Sequence, residues 1–154
     1  MPPLRRSRKR SATSTPPSAV RLLIDECLGR VAVPEALRQA GASVVLHSQL
    51  FAPGLDDVDW LRQLANHPDL VVLSKDKRIR KRTIELEAVM AGRVRLFVLT
   101  AGKLNGAEQA ESFVRALTRI LRLARRPGPF IATVTAGGHV TITFDGGHGT
   151  RRHR

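Results

Sequence analysis

The 154-residue chain contains a single cysteine, Cys27, so no internal disulfide can form and a reducing compartment is its natural setting. No apolar run approaches the roughly 20 residues needed to cross a bilayer. The basic start, Met1 to Arg10, is not followed by the apolar core of a signal peptide. These absences point to a cytoplasmic protein with no membrane partner. A Cys/His cluster is missing, which argues against a zinc site. A glycine-rich phosphate loop ending in Lys-Ser/Thr is also missing, which argues against an NTPase. Acidic residues are scarce: 13 Asp+Glu stand against 26 Lys+Arg, a net charge of +13. Such a surplus favours an anionic partner, and nucleic acid is the commonest, although part of the charge sits at the two ends. The lone tryptophan, Trp60, lies on a helical period and reads as core rather than as a platform for stacked bases.

The length fits one compact domain with tails, and the 42% hydrophobic share is enough for a core without staples. Residues 1–19 hold Arg, Lys, Ser, Thr and Pro and read as a disordered basic tail. Residues 20–144 read as the folded domain, and 145–154 as a flexible basic tail. Within the domain, strand and helix patterns alternate. Val20 to Ile24 is a short apolar run ending at Asp25. Pro34 suits the first turn of a helix that Gly41 stops. Ser43 to His47 reads as a second strand. Asp56 or Asp57 caps a helix carrying Trp60, Leu61, Leu64 and Ala65. Leu70 to Leu73 is a third strand stopping at Ser74-Lys75-Asp76. A helix is expected from about Arg80 to Ala91, a fourth strand at Val94 to Leu99, and a long helix from about Ala107 to Arg125. Two alternating segments, Phe130 to Thr135 and His139 to Thr143, joined by Gly137-Gly138, predict a hairpin. Repeated strand-helix-strand units imply an α/β fold with a mostly parallel sheet between helical layers and a C-terminal β-hairpin.

In such sheets ligands bind beyond the carboxyl ends of the strands. That rule singles out Asp25 and Glu26 after the first strand, Asp76 after the third and Thr100 after the fourth. Crowded carboxylates repel and raise one another's pKa, and a hard divalent cation such as Mg²⁺ or Mn²⁺ relieves the strain. An all-carboxylate site on a basic protein points to phosphodiester hydrolysis. The segment Lys75, Lys77, Arg78, Arg80, Lys81 and Arg82 surrounds Asp76 and suits an RNA backbone. Plainer readings compete. Asp57 also suits a helix cap, Asp76 a charged turn, and the stripe Arg115, Arg119, Arg122 and Arg126 a solvated helix face. Cys27 reads as a small buried apolar residue rather than a nucleophile.

The order of four segments is specific in combination: Leu22-Leu23-Ile24-Asp25-Glu26-Cys27-Leu28-Gly29, Asp57-Val58-Asp59-Trp60-Leu61, Val72-Leu73-Ser74-Lys75-Asp76-Lys77-Arg78-Ile79-Arg80 and Phe97-Val98-Leu99-Thr100-Ala101-Gly102. It resembles the PIN-like domains of bacterial VapC-type toxins over roughly Val20 to Thr143. The resemblance implies a three-layer α/β/α sandwich and a ribonuclease using Mg²⁺ or Mn²⁺. It implies Asp25, Asp57 and Asp76 as metal ligands and catalytic acids, with Glu26 and Glu85 as further candidates. It also implies an antitoxin partner and a possible homodimer. The family pattern has a fourth acid after a later strand, where this chain has Thr100 and Asn105. That departure keeps a second expectation open, a PIN-like binding module without catalysis. A phosphotransfer enzyme with an aspartyl nucleophile at Asp25, similar to haloacid-dehalogenase-type phosphatases, ranks last, because Cys27 stands where those enzymes carry a second Asp.

Overall fold

A computed structural model describes residues 20–80 and 82–146. The tails expected at 1–19 and 145–154 lie outside these residues, apart from Asp145 and Gly146. So does Lys81, and the side chain of Arg80 is likewise not described. The strands are β1 (Arg21–Ile24), β2 (Ser43–Leu46), β3 (Leu70–Ser74), β4 (Arg95–Leu99), β5 (Phe130–Val134) and β6 (Val140–Asp145). The helices are α1 (Ala32–Gln39), α2 (His47–Leu50), α3 (Asp57–Gln63), α4 (Thr83–Ala91) and α5 (Gly106–Leu123). Tight 3-10 turns at Glu26–Leu28, Leu64–Asn66 and Lys77–Arg80 were not anticipated by the periodicity. No helix among the described residues is long and apolar enough to cross a membrane.

The strands form one sheet in the order β2-β1-β3-β4-β5-β6. All neighbours are parallel except β5 and β6, which pair antiparallel as the hairpin expected from Gly137-Gly138. Side chains alternate across the pleat and divide the core in two. Leu22, Ile24, Val71, Leu73 and Phe97 meet α1 and α5 through Val33, Leu37, Phe113, Leu117 and Ile120. Leu23, Val72, Leu96 and Val98 meet α3 and α4 through Trp60, Leu61, Ala88 and Val89. Strands buried on both faces are nearly continuous apolar runs, as a covered parallel sheet requires. The architecture is therefore the three-layer α/β/α sandwich read from the sequence.

Two local differences from the sequence reading have clear causes. The helix expected from Arg80 begins only at Thr83. Before it, the Asp76 carboxylate accepts the Arg78 backbone N–H at 3.0 Å, and Ile79 is fully buried; together they hold a separate turn. At the other end of α4, the chain closes a Schellman motif: Val94 N–H bonds Val89 C=O at 2.9 Å and Arg93 N–H bonds Met90 C=O at 3.1 Å. Arg93 takes the left-handed position there, at φ 54°. A glycine would hold that conformation more easily, by about 1 kcal/mol. The glycine sits one residue earlier because a Cβ on Gly92 would lie 1.9 Å from the carbonyl oxygen of Leu61.

Candidate active site at the carboxyl edge of the sheet

β1 leads to α1 on one face of the sheet, whereas β3 leads to α4 on the other. The connections part between these two neighbouring strands, which opens a crevice at their carboxyl ends. Asp25 and Ser74 face each other across that crevice. The register pairs Ile24 with Leu73, and Asp25 N–H continues the ladder to Leu73 C=O at 3.0 Å.

Asp25 is buried, and its Oδ2 accepts the hydroxyl of the fully buried Ser74 at 2.8 Å. The Ser74 Oγ in turn accepts Asp76 N–H at 2.9 Å, which ties the turn after β3 to the acid after β1. Cys27 is exposed as a residue, but its sulfur turns inward. Sγ lies 3.6 Å from Asp25 Oδ2 and 3.5 Å from Ser74 Oγ, and accepts Lys75 N–H at 3.4 Å. The buried apolar residue expected from the sequence is thus a surface residue with a buried thiol. Burial, and then the Asp25 carboxylate, push that thiol's pKa up to about 11, the opposite of an activated nucleophile. Asp25 itself is raised, by burial first and by the like charge of Asp57; Ser74, His47 and Cys27 pull the other way.

Asp57 is the first residue of α3, and the cap position belongs to Asp56, whose side chain makes no capping bond. The Asp57 carboxylate instead accepts the buried indole N–H of Trp60 at 3.0 Å. Asp76 is held on both oxygens by Arg78, at 3.0 Å from Nε and 2.9 Å from Nη2. This keeps Asp76 below the ordinary carboxylate range. Arg78 is raised, by its hydrogen bonds and charge pairing with Asp76 first, and further by Asp57 and Glu85. Glu85 on α4 is buried; its Oε1 has no hydrogen-bond partner, and Arg82 Nε is 3.9 Å away. The electrostatic neighbourhood therefore links Asp25 to Asp57, and Asp57, Asp76 and Glu85 to one another through Arg78.

Glu26 is not part of this group. It is exposed, with Arg30 3.7 Å from its carboxylate. Thr100 and Asn105 supply no acid: Thr100 donates to Val134 C=O at 3.3 Å, and Asn105 caps α5 in a reciprocal pair with Glu108. Lys75, Lys77, Arg78 and Arg82 are all exposed around Asp76. Among the described residues no group of three or more His, Cys, Asp or Glu is placed to hold a metal ion. The donor chemistry nevertheless fits a hard cation, because every acid offers oxygen and Glu85 carries a buried oxygen without a hydrogen bond, its nearest cation being Arg82 at 3.9 Å.

Two residues of the site escaped the sequence reading. Ser74 was seen only as a strand end. His47 was read as the last residue of a strand, yet it opens α2 and is buried, with neither ring nitrogen hydrogen-bonded. Its ring stands edge-on to Trp60 at 4.7 Å and tilted to Phe51 at 5.1 Å, directly behind the Asp57 anchor. A histidine at a strand end carries no periodic signal of such a role.

A family model described as "PIN like domain" matches residues 20–101. A protein of Mycobacterium tuberculosis strain H37Rv named "Putative ribonuclease VapC45" is 31% identical over 117 residues, covering 73% of this chain and 84% of that protein. No solved structure matches the chain.

Proposed function

This chain belongs to the PIN-like domain family, and on that premise we propose that it is a metal-dependent endoribonuclease. What supports the reading is the buried Asp25 at the switch point, bonded to Ser74 and acted on by the charge of Asp57, in a strongly basic α/β protein. Asp25, Asp57 and Asp76 would hold Mg²⁺ or Mn²⁺, with Glu85 as the fourth acid in place of Thr100 and Asn105. When bound, the ion supplies an activated water and neutralises charge on the phosphate being cut. Ser74 orients the Asp25 carboxylate and Trp60 orients that of Asp57. Lys75, Lys77, Arg78 and Arg82 hold the RNA backbone, and the sequence adds Arg80 and Lys81 to the same segment. The name of the mycobacterial relative supports a further step, a cytoplasmic VapC-type toxin restrained by an antitoxin protein.

A second reading has its own support. Both oxygens of Asp76 are engaged by Arg78, and the expected fourth-acid positions serve a strand contact and a helix cap. A non-catalytic RNA- or protein-binding module would keep such contacts. One experiment separates the two: a mixed pool of structured and single-stranded RNA incubated with Mg²⁺, with Mn²⁺ or with EDTA. Wild type should cut only with metal, and Asp25→Asn and Asp76→Asn should not cut. Intact RNA in every lane, from a folded protein that still binds it, selects the binding module.

A further inference from the structure

The opposite end of the sheet carries a second concentration of positive charge. A cleft of about 310 Å³ between the end of α4 and the segment after α5 is lined by Arg93, Arg95, Arg125, Arg126 and His67, and by no acidic residue. Two of these arginines serve the fold. Arg95 donates to Ala124 C=O, to Pro68 C=O at 2.5 Å and to Leu70 C=O at 3.3 Å, and Arg126 pairs with Asp145 at 2.7 Å. Arg93 and Arg125 are exposed at the rim. A cation near a helix C-terminus is favourable in itself, which accounts for a charge at either position. It does not account for an arginine rather than a glycine at the left-handed position of Arg93, where the side chain raises the cost of the backbone. The floor of the cleft is fixed as well. Gly128 packs so tightly under Arg93 that a Cβ there would lie 2.3 Å from the Arg93 carbonyl oxygen.

We infer that this arginine cleft is a second anchor for RNA, binding backbone phosphates upstream or downstream of the cut. The inference rests on the reading that the substrate is RNA. Arg93 and Arg125 at the rim stand beside Arg95 and the Asp145-paired Arg126, a surplus of positive charge that a polyanion relieves. The cleft is displaced from the acids by the length of the central strand. Leu70 lines the cleft and Ser74 bonds Asp25, four residue steps or about 13 Å apart. The strand is buried under helices on both faces, so RNA that reaches both ends passes around the covering layer and spans more than about four nucleotides. A dinucleotide reaches only one site, whereas a longer strand spans both.

The test is fluorescence anisotropy of the full chain with a labelled single-stranded RNA long enough to span both ends, titrated over a range of salt in EDTA. Arg93→Gly and the double variant Arg93→Gly/Arg125→Gln are compared with wild type. The double variant should bind at least about fivefold more weakly, with a salt slope shallower by roughly 0.7 for each phosphate no longer neutralised. Arg93→Gly should melt no lower than wild type, because glycine suits that backbone. Cleavage of a dinucleotide should be unchanged while cleavage of the long RNA falls. Equal affinity and equal slope in the double variant overturn the inference. So does stabilisation of wild type by inorganic phosphate, absent in the variants, with RNA affinity unmoved, since that marks a site for free anions. Binding is read without metal, so the two readings fail separately. A chain that loses affinity but never cuts RNA keeps the anchor and drops the nuclease. A chain that cuts RNA with undiminished affinity in the double variant does the reverse.

Discussion

Arg78 holds Asp76 from both sides, with Nε 3.0 Å from Oδ1 and Nη2 2.9 Å from Oδ2, while its own backbone N–H closes the turn on Oδ1. A bidentate pair of this kind is a tethered counter-cation among the acids. A metal ion and the guanidinium compete for the same two oxygens. Arg78→Gln should therefore lower the Mn²⁺ concentration for half-maximal cleavage by about fivefold, while weakening RNA binding. Metal titration of cleavage at fixed RNA reads the first effect, and an unchanged metal requirement counts against the competition.

Asp25 gives a prediction with a definite sign. Its pKa is raised above the usual 3.8 by burial, and then by Asp57. The folded state therefore holds the proton more tightly than the unfolded chain. Stability falls as pH rises from 3.8 through the raised value, and stays lower above it. Asp25→Asn keeps a partner for Ser74 and removes the buried charge. Its melting temperature at neutral pH should exceed that of wild type by a few degrees, and the advantage should vanish on acidification. The same variant should cut no RNA. A wild type that melts higher at every pH would show that the buried charge carries no net cost.

Trp60 joins the core to the site through one hydrogen bond, from its indole to Asp57 Oδ1 at 3.0 Å. Trp60→Phe removes that donor and leaves a small void in a fully buried position, at a cost of about 2 kcal/mol. Cleavage should fall further than the reduced stability explains, because Asp57 is then free to turn. Denaturant melts and cleavage rates, both taken well below the melting point, separate the two effects.

Gly92 tests the packing that positions α4 and hence Glu85. A methyl group there would collide with the Leu61 carbonyl, which belongs to rigid backbone of α3. Gly92→Ala should destabilise the domain by about 3 kcal/mol by urea denaturation. A change within about 0.5 kcal/mol would mean that the two helices part easily.

Much of this was legible in the residues, and the reasons are physical. Continuous apolar runs such as Leu70 to Leu73 and Leu96 to Leu99 have no alternation because both faces are covered, and their regular spacing with helical segments implies a parallel sheet. Asp25 and Asp76 stood out because a charge that ends a buried strand must face the sheet edge. The roles within the site were less visible. Asp57 reads as a helix cap until Asp56 is seen at that position and Trp60 is seen holding its carboxylate. Ser74, Cys27 and His47 act through register and packing between distant segments, which spacing along the chain does not encode. Glu85 stands in the sequence as a candidate ligand that a solvated helix position explains equally well, and its burial and its Oε1 without a hydrogen bond are what the sequence does not encode.

The central claim is that these acids act as one metal site although Asp25, Asp57 and Asp76 each have a protein partner. Calorimetric titration of Mn²⁺ into the full chain, without RNA, tests it most directly. Saturable binding by wild type, abolished by Asp25→Asn and by Asp57→Asn in proteins that melt as cooperatively as wild type, is the predicted result. No heat of binding in wild type, or equal binding in both variants, would contradict it.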